Sequence, residues 1–204
     1  MTGLALPLDV SRETLDRLNR FEALLGKWNP AINLVSRSTI PQAWDRHIVD
    51  SAQLFDLAPK ESETWLDLGS GGGFPGLVIA ALAADLRPSL RVTLVESDQR
   101  KATFLRHAAT EMRISPTILS ARIESIPPQA SSIVSARALA PLSTLLTFLE
   151  RHMSPSGIAL FPKGANWQEE VEAARKEWHF DLDTRPSLTA SEAVILSVKA
   201  VSHV

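Results

Sequence analysis

Apolar residues recur at three- and four-residue steps near the start of the chain. Leu15, Leu18, Phe21, Leu25 and Trp28 form the stripe, with Arg12, Asp16, Arg17, Arg20 and Glu22 between them. This spacing predicts an amphipathic helix over 11–28. Trp28-Asn29-Pro30 is expected to end it, because a residue preceding proline avoids the helical region. A second helix is predicted from near Pro41, a residue suited to a first helical turn. It turns Trp44, Ile48, Ala52 and Phe55 inward and ends by Pro59. Residues 1–60 read as an N-terminal helical cap.

From Thr64 the pattern switches to short apolar segments alternating with helical ones. Strands are expected at Thr64–Leu68, Arg91–Glu96, Thr117–Ser120, Ile133–Ala136, Gly157–Pro162 and Ala193–Ala200, with another candidate at His179–Thr184. Helices are expected near 75–85, 98–112, 138–152 and 165–178. Such alternation implies an α/β fold, a doubly wound and mostly parallel sheet with helices on both faces. Ligands of these sheets sit beyond the carboxyl ends of the strands, where strand order reverses. Residues 61–204 form this domain, and with the cap they are expected to make one compact unit.

Composition adds boundaries. The 204 residues are 45% hydrophobic and 22% charged, enough for a sizeable core. No cysteine is present, which removes disulfides, thiolate nucleophiles and cysteine-ligated zinc. Net charge is −2, so the bulk composition carries no nucleic-acid footprint, although a local basic patch on a neutral body can still bind RNA. No basic residue precedes the first apolar stretch, and the run from Gly76 to Ala84 is far short of the ~20 residues of a membrane span. The expectation is a soluble, cytoplasmic protein without a membrane partner.

Thr64-Trp-Leu-Asp-Leu68 leads directly into Gly69-Ser-Gly-Gly-Gly73, and Pro75-Gly76 opens a helix. Glycines there let a ligand approach bare backbone. A dinucleotide fingerprint begun at Gly69 needs glycine at 74, where Phe74 stands, and a P-loop needs Lys followed by Ser or Thr. Asp67 stands two places before the first glycine. Its charge suits the cationic amine of S-adenosylmethionine and repels a pyrophosphate. Glu96, closing the second strand, is placed as an acidic ribose ligand, able to accept from two vicinal hydroxyls, unless it is only a helix-start charge before Asp98.

With these residues in place, the chain resembles the ribosomal RNA small subunit methyltransferase G family, formerly glucose-inhibited division protein B. The resemblance runs from about Phe21 to Gly164. It rests on Lys27-Trp-Asn29, Arg46-His47-Ile-Val-Asp50-Ser51, Asp67-Leu-Gly-Ser-Gly-Gly-Gly-Phe-Pro-Gly76, Leu94-Val-Glu96-Ser, Arg122-Ile-Glu124, Ser135-Ala-Arg137-Ala and Lys163-Gly164. It implies a class I, Rossmann-like methyltransferase that transfers a methyl group from S-adenosylmethionine to guanine N7 of 16S ribosomal RNA, free or in the 30S particle. The residues it implies for the cofactor are Gly69, Gly71, Phe74, Ile123, Glu124 and Arg137, beside Asp67 and Glu96. Arg137 is expected to face the reaction centre as an electrostatic residue. The family often has an aspartate beginning the fourth strand, whereas Ser131 and Ser132 stand here, and the last forty residues match only loosely.

Guanine N7 is a lone-pair acceptor with no proton to remove, so no general base is required. None of the five histidines sits in a triad or metal spacing, and no metal is expected. Lys27, Arg46, His47 and Lys163 are the RNA-contact candidates. Trp28 and Trp44 fit core anchors better than base-stacking platforms. His47 and Asp50, three apart on a helix, are placed to pair with each other or to cap the cofactor pocket. Two alternatives stand beside the RNA enzyme: a methyltransferase of a small molecule, and a cofactor-binding module without turnover. The protein is expected to act as a monomer.

Overall fold

A computed structural model describes residues 4–204; the first three residues of the expected cap, and the start of the first apolar stretch read for a signal peptide, lie outside them. Helix α1 spans Arg12–Ile32. Ser11 caps it, its Oγ accepting from the Thr14 backbone N–H at 3.2 Å, and Thr14, Leu18, Phe21, Leu25 and Asn29 form its buried face. The stop expected at Trp28 is corrected, since the helix continues through Pro30. Proline there gives up only its own bond to the preceding turn. The next turn closes from Asn33 N–H to Asn29 O at 3.0 Å, and Asn29 Oδ1 fixes the exit by accepting from Val35 N–H at 2.9 Å.

The second helical stretch begins earlier than Pro41 and changes pitch along its length. A 3-10 segment at Arg37–Gln42 contains Pro41, a π turn follows at Trp44–Val49, and α2 runs Asp50–Leu57. Ile48, Ala52 and Phe55 are buried as expected. Trp44 is only half-buried, its Nε1–H donating to Leu4 O at 3.0 Å.

Then β1 (Thr64–Leu68), α3 (Gly76–Leu86), β2 (Arg91–Val95), α4 (Gln99–Met112), β3 (Thr117–Leu119) and β4 (Ser131–Ala136) follow the expected alternation. After them come α5 (Leu142–His152), β5 (Met153–Lys163), α6 (Trp167–Ala174), β6 (Trp178–Pro186) and β7 (Val194–His203). Helix α5 starts four residues later than the apolar pattern suggests, because Ala138 takes a left-handed φ of 51° and Pro141 ends an irregular loop. The sheet order is β3-β2-β1-β4-β5-β7-β6. All pairings are parallel except those of β7, which lies antiparallel between β5 and β6.

Strand residues alternate between two cores, as a sheet covered on both faces requires. Trp65, Leu94, Ile133 and Leu160 face α1, α2, α3 and α4, whereas Leu66, Val95, Val134 and Phe161 face α5 and α6. Helix α3 is buried from Gly76 to Ala83, because α1 and α2 cover the side turned away from the sheet. That double burial accounts for its nearly all-apolar sequence. Leu18, Phe21 and Leu25 of the cap share one core with Phe74, Leu77 and Phe104. Where cap and turn meet, a Cβ on Gly72 would stand 2.9 Å from Leu34 O, so only glycine lets the two backbones approach so closely.

Candidate active site

Strand order reverses between β1 and β4, and a cavity of about 1520 Å³ opens there beyond the carboxyl ends of the parallel strands. Gly69, Gly71, Phe74, Glu96, Ile123, Glu124, Arg137, Arg46, His47 and Lys163 all line it. The sequence expectations thus converge on one place, with two exceptions treated below.

The β1 side is held by backbone. Gly69, Gly71 and Gly73 take φ values of 63°, 54° and 95°, and the turn closes from Gly73 N–H to Ser70 O at 2.7 Å. Glu96 is buried behind this turn. Its Oε2 accepts from Gly71 N–H at 2.8 Å and its Oε1 from Asp98 N–H at 2.7 Å, while Asp98 itself caps α4. Each carboxylate oxygen therefore keeps a lone pair for a ligand hydroxyl.

Asp67 is the first exception. It is fully buried beneath the turn, outside the cavity lining, with Oδ1 accepting from Ser135 Oγ at 2.7 Å and Oδ2 from Gly76 N–H at 3.1 Å. The expected direct contact with a ligand amine is corrected: this carboxylate is consumed inside the fold, joining β1, β4 and the start of α3. Burial raises its pKa from 3.8 to about 6, against the lowering effect of its hydrogen bonds.

The β4 side is held by side chains. Arg137, directly after β4, donates from Nη1 to Asp50 Oδ2 and to Arg46 O, both at 3.2 Å, and lies 4.9 Å over the Phe74 ring. Burial pushes its pKa down and the Asp50 carboxylate opposes this. Phe74 packs between Phe21 and His47, with ring centroids 4.9 and 5.0 Å away. His47 does not pair with Asp50, which is drawn to Arg137. Its Nε2 instead meets Thr39 Oγ1 at 2.8 Å. Thr39 Oγ1 also donates to Ser36 O at 2.8 Å, and His47 Nδ1 is buried without a hydrogen-bond partner among the described residues. Burial first, then Arg137 and Arg46, lowers the pKa of His47 to about 3.

The remaining candidates separate. Ile123 is buried and Glu124 exposed on a 3-10 turn, Ile123–Ser125, after β3. Arg46 is exposed at the rim. Lys27, the second exception, is exposed on α1 away from the cavity. Lys163 lines the cavity with its Nζ donating to Glu170 Oε2 at 2.6 Å and to Ala140 O at 3.1 Å, so its charge is paired within the protein. Trp28 packs on Phe104 and His107 as an anchor. Ser131 and Ser132 begin β4 at the end of the sheet opposite the cavity, with Ser132 N–H donating to Thr64 Oγ1 at 2.8 Å. The missing aspartate therefore does not bear on the cavity. Among the described residues, no group of three His, Asp or Glu side chains is placed to hold a metal, and no helix is long and apolar enough to cross a membrane.

Sequence reasoning passed over Ser135 and Thr189. Ser135 joins Asp67 to the Trp65 indole, which donates to it at 2.8 Å. Thr189, in the turn between β6 and β7, donates to Asp50 Oδ1 at 2.8 Å. Ser135 opens the Ser135-Ala-Arg137-Ala segment, whereas nothing in the sequence around Thr189 marks it.

The sheet order, with β7 antiparallel beside β5 and a glycine turn after β1, defines a class I methyltransferase fold. A TehB-like SAM-dependent methyltransferase from Corynebacterium glutamicum shares it, with a TM-score of 0.59 at 15% identity over 90% of this chain and 99% of that one. Residues 14–195 match the model of the rRNA small subunit methyltransferase G family, and the chain belongs to that family. A protein named ribosomal RNA small subunit methyltransferase G from a Ruegeria species is 56% identical over 98% of this chain and 97% of its own. One of the same name from Cereibacter sphaeroides is 54% identical over 97% and 96%.

Proposed function

We propose that this protein transfers a methyl group from S-adenosylmethionine to N7 of a guanine in 16S ribosomal RNA. The observation that carries the proposal is the convergence of the glycine turn, Glu96 and Arg137 on one cavity at the switch point, in a chain whose relatives bear the rRNA methyltransferase name. The residues fit the donor. Gly69 and Gly71 offer bare backbone, Glu96 offers two lone pairs for the ribose, and Ile123 with Glu124 borders the adenine end. When bound, the donor supplies an electrophilic methyl group on a sulfonium.

The chain's own residues orient the partners and exclude water. No proton leaves N7, so the site needs no base, and His47 with its low pKa is neutral at working pH. Arg137 acts electrostatically beside the acceptor, and Arg46 meets RNA at the rim. Residues 1–60 and 61–204 work as one unit, an inference supported by their shared core. The same proposal includes a monomer acting in the cytoplasm on 16S RNA or the 30S particle, the former checked by light scattering.

Incubation with tritiated S-adenosylmethionine and 30S subunits, naked 16S RNA or a metabolite pool tests the reading. Label in 16S RNA at an alkali-labile 7-methylguanine is expected. Label only in small molecules overturns it, and tight donor binding with no label anywhere identifies a module without turnover.

A further inference from the structure

Three segments far apart in sequence meet at one carboxylate. Asp50 opens α2, Arg137 follows β4, and Thr189 lies in the turn joining β6 to β7. Asp50 Oδ2 accepts from Arg137 and Oδ1 from Thr189, and Gln53 Nε2 donates to the same Oδ1 at 3.0 Å. Gln53 then clamps the turn, its Oε1 accepting from Leu188 N–H at 3.0 Å and its Nε2 lying 3.2 Å from Ser187 Oγ. The side chains of Asp50 and Arg137 are 15% and 16% exposed. At that burial a carboxylate and a guanidinium depend on each other, since either left alone is a poorly solvated charge.

Both protein bonds of Arg137 run through Nη1, so its Nε–Nη2 edge carries no protein partner among the described residues. The geometry points to Asp50 as a positioning residue that holds Arg137 against Phe74 with that edge free for the acceptor base, and to the β6–β7 turn as the third anchor of this clasp. The inference rests on the proposed function, because it assigns Arg137 an acceptor. Asp50 touches no reacting atom in this account and works through Arg137. A guanidinium aimed in this way can donate to the O6 acceptor of guanine while leaving the N7 lone pair unengaged.

A double-mutant cycle tests it, with Asp50→Asn, Arg137→Ala and the pair assayed for methyl transfer to 16S RNA in 30S subunits, and donor affinity measured by calorimetry. Asp50→Asn should lower kcat by about tenfold to a hundredfold, the scale of a group misplaced by an ångström, with donor Kd within about threefold. In the Arg137→Ala background the same change should have almost no further effect. Thr189→Val, which removes one outer bond, should lower kcat less and in the same direction. Equal losses from Asp50→Asn in both backgrounds overturn the inference, as does unchanged kcat in Asp50→Asn. If Asp50→Asn unfolds, Thr189→Val on its own must lower kcat at unchanged donor Kd, and its failure to do so overturns the clasp. Wild-type protein that leaves 16S RNA unlabelled overturns the function itself, a result separate from these.

Discussion

On the β1 side of the cavity, backbone sets the geometry: glycines at positive φ, and peptide N–H groups of Gly71 and Asp98 donating to Glu96. Across from it, on the β4 side, side chains set the geometry. Arg137, Asp50 and Thr189 come from three regions of the chain, and Lys163 is tied to Glu170. The first wall tolerates almost no added atoms, while the second tolerates substitution at the expense of aim. A wall made of backbone binds a constant ligand, and a wall made of side chains suits discrimination among acceptors.

The largest expected effect lies in the backbone wall. Gly73→Ala places a Cβ 2.7 Å from Leu77 and 2.9 Å from Phe21 at a φ of 95°, so it combines overpacking with left-handed strain. Denaturant unfolding should show a loss of about 4 kcal/mol. A stable Gly73→Ala protein breaks the contrast between the walls.

Next in size is pH, where the two sides should respond with opposite sign. The folded pKa of Asp67, about 6, lies above its ordinary 3.8, so its contribution favours the fold at low pH and is lost as pH rises through 6. By that shift the loss is about 3 kcal/mol, and Asp67→Asn should flatten it in urea titrations between pH 4 and 7. The folded pKa of His47, about 3, lies below 6.5, so its contribution is present above pH 6.5 and is lost as pH falls toward 3. His47→Gln should flatten that acid limb. Slopes of the same sign for the two residues would remove this part of the comparison.

Smaller still is Glu96→Ala. It should weaken donor binding by about 1–3 kcal/mol in calorimetry, the scale of lost charge-assisted hydrogen bonds. Unchanged affinity would take Glu96 out of the donor wall. Smallest is Lys163→Met, which should cost about 1 kcal/mol of stability through Glu170 and leave RNA affinity within about twofold. A steep fall in RNA affinity, with a shallower salt dependence, would instead place Lys163 on phosphate.

The same contrast governs what could be read before the structure. Local backbone chemistry writes itself locally, so Gly69 to Gly73, the flanking strand and helix, and Glu96 after the next strand were all legible in order. Arg137 and Asp50 lay in recognisable segments, yet no spacing rule joins residues 87 positions apart, and Asp50 was matched with its near neighbour His47 instead. Asp67 misled because sign of charge can be read from sequence while burial cannot. Its carboxylate turns inward to Ser135 and Gly76. Pro30 misled for a related reason, since a stop rule does not register the bonds from Asn33 and Val35 that carry the helix past it.

The contact of Leu34 with Gly72 bears on how this architecture can be recombined. A chimera that sets this cap on a sheet bearing any side chain at the equivalent of Gly72 will not close at the junction, because the carbonyl of Leu34 already fills that space. Grafting the sheet without the cap strips Phe74 and Leu77 of Phe21. Cap and glycine turn are therefore inherited together, and a variant library that shuffles one should carry the other on the same fragment.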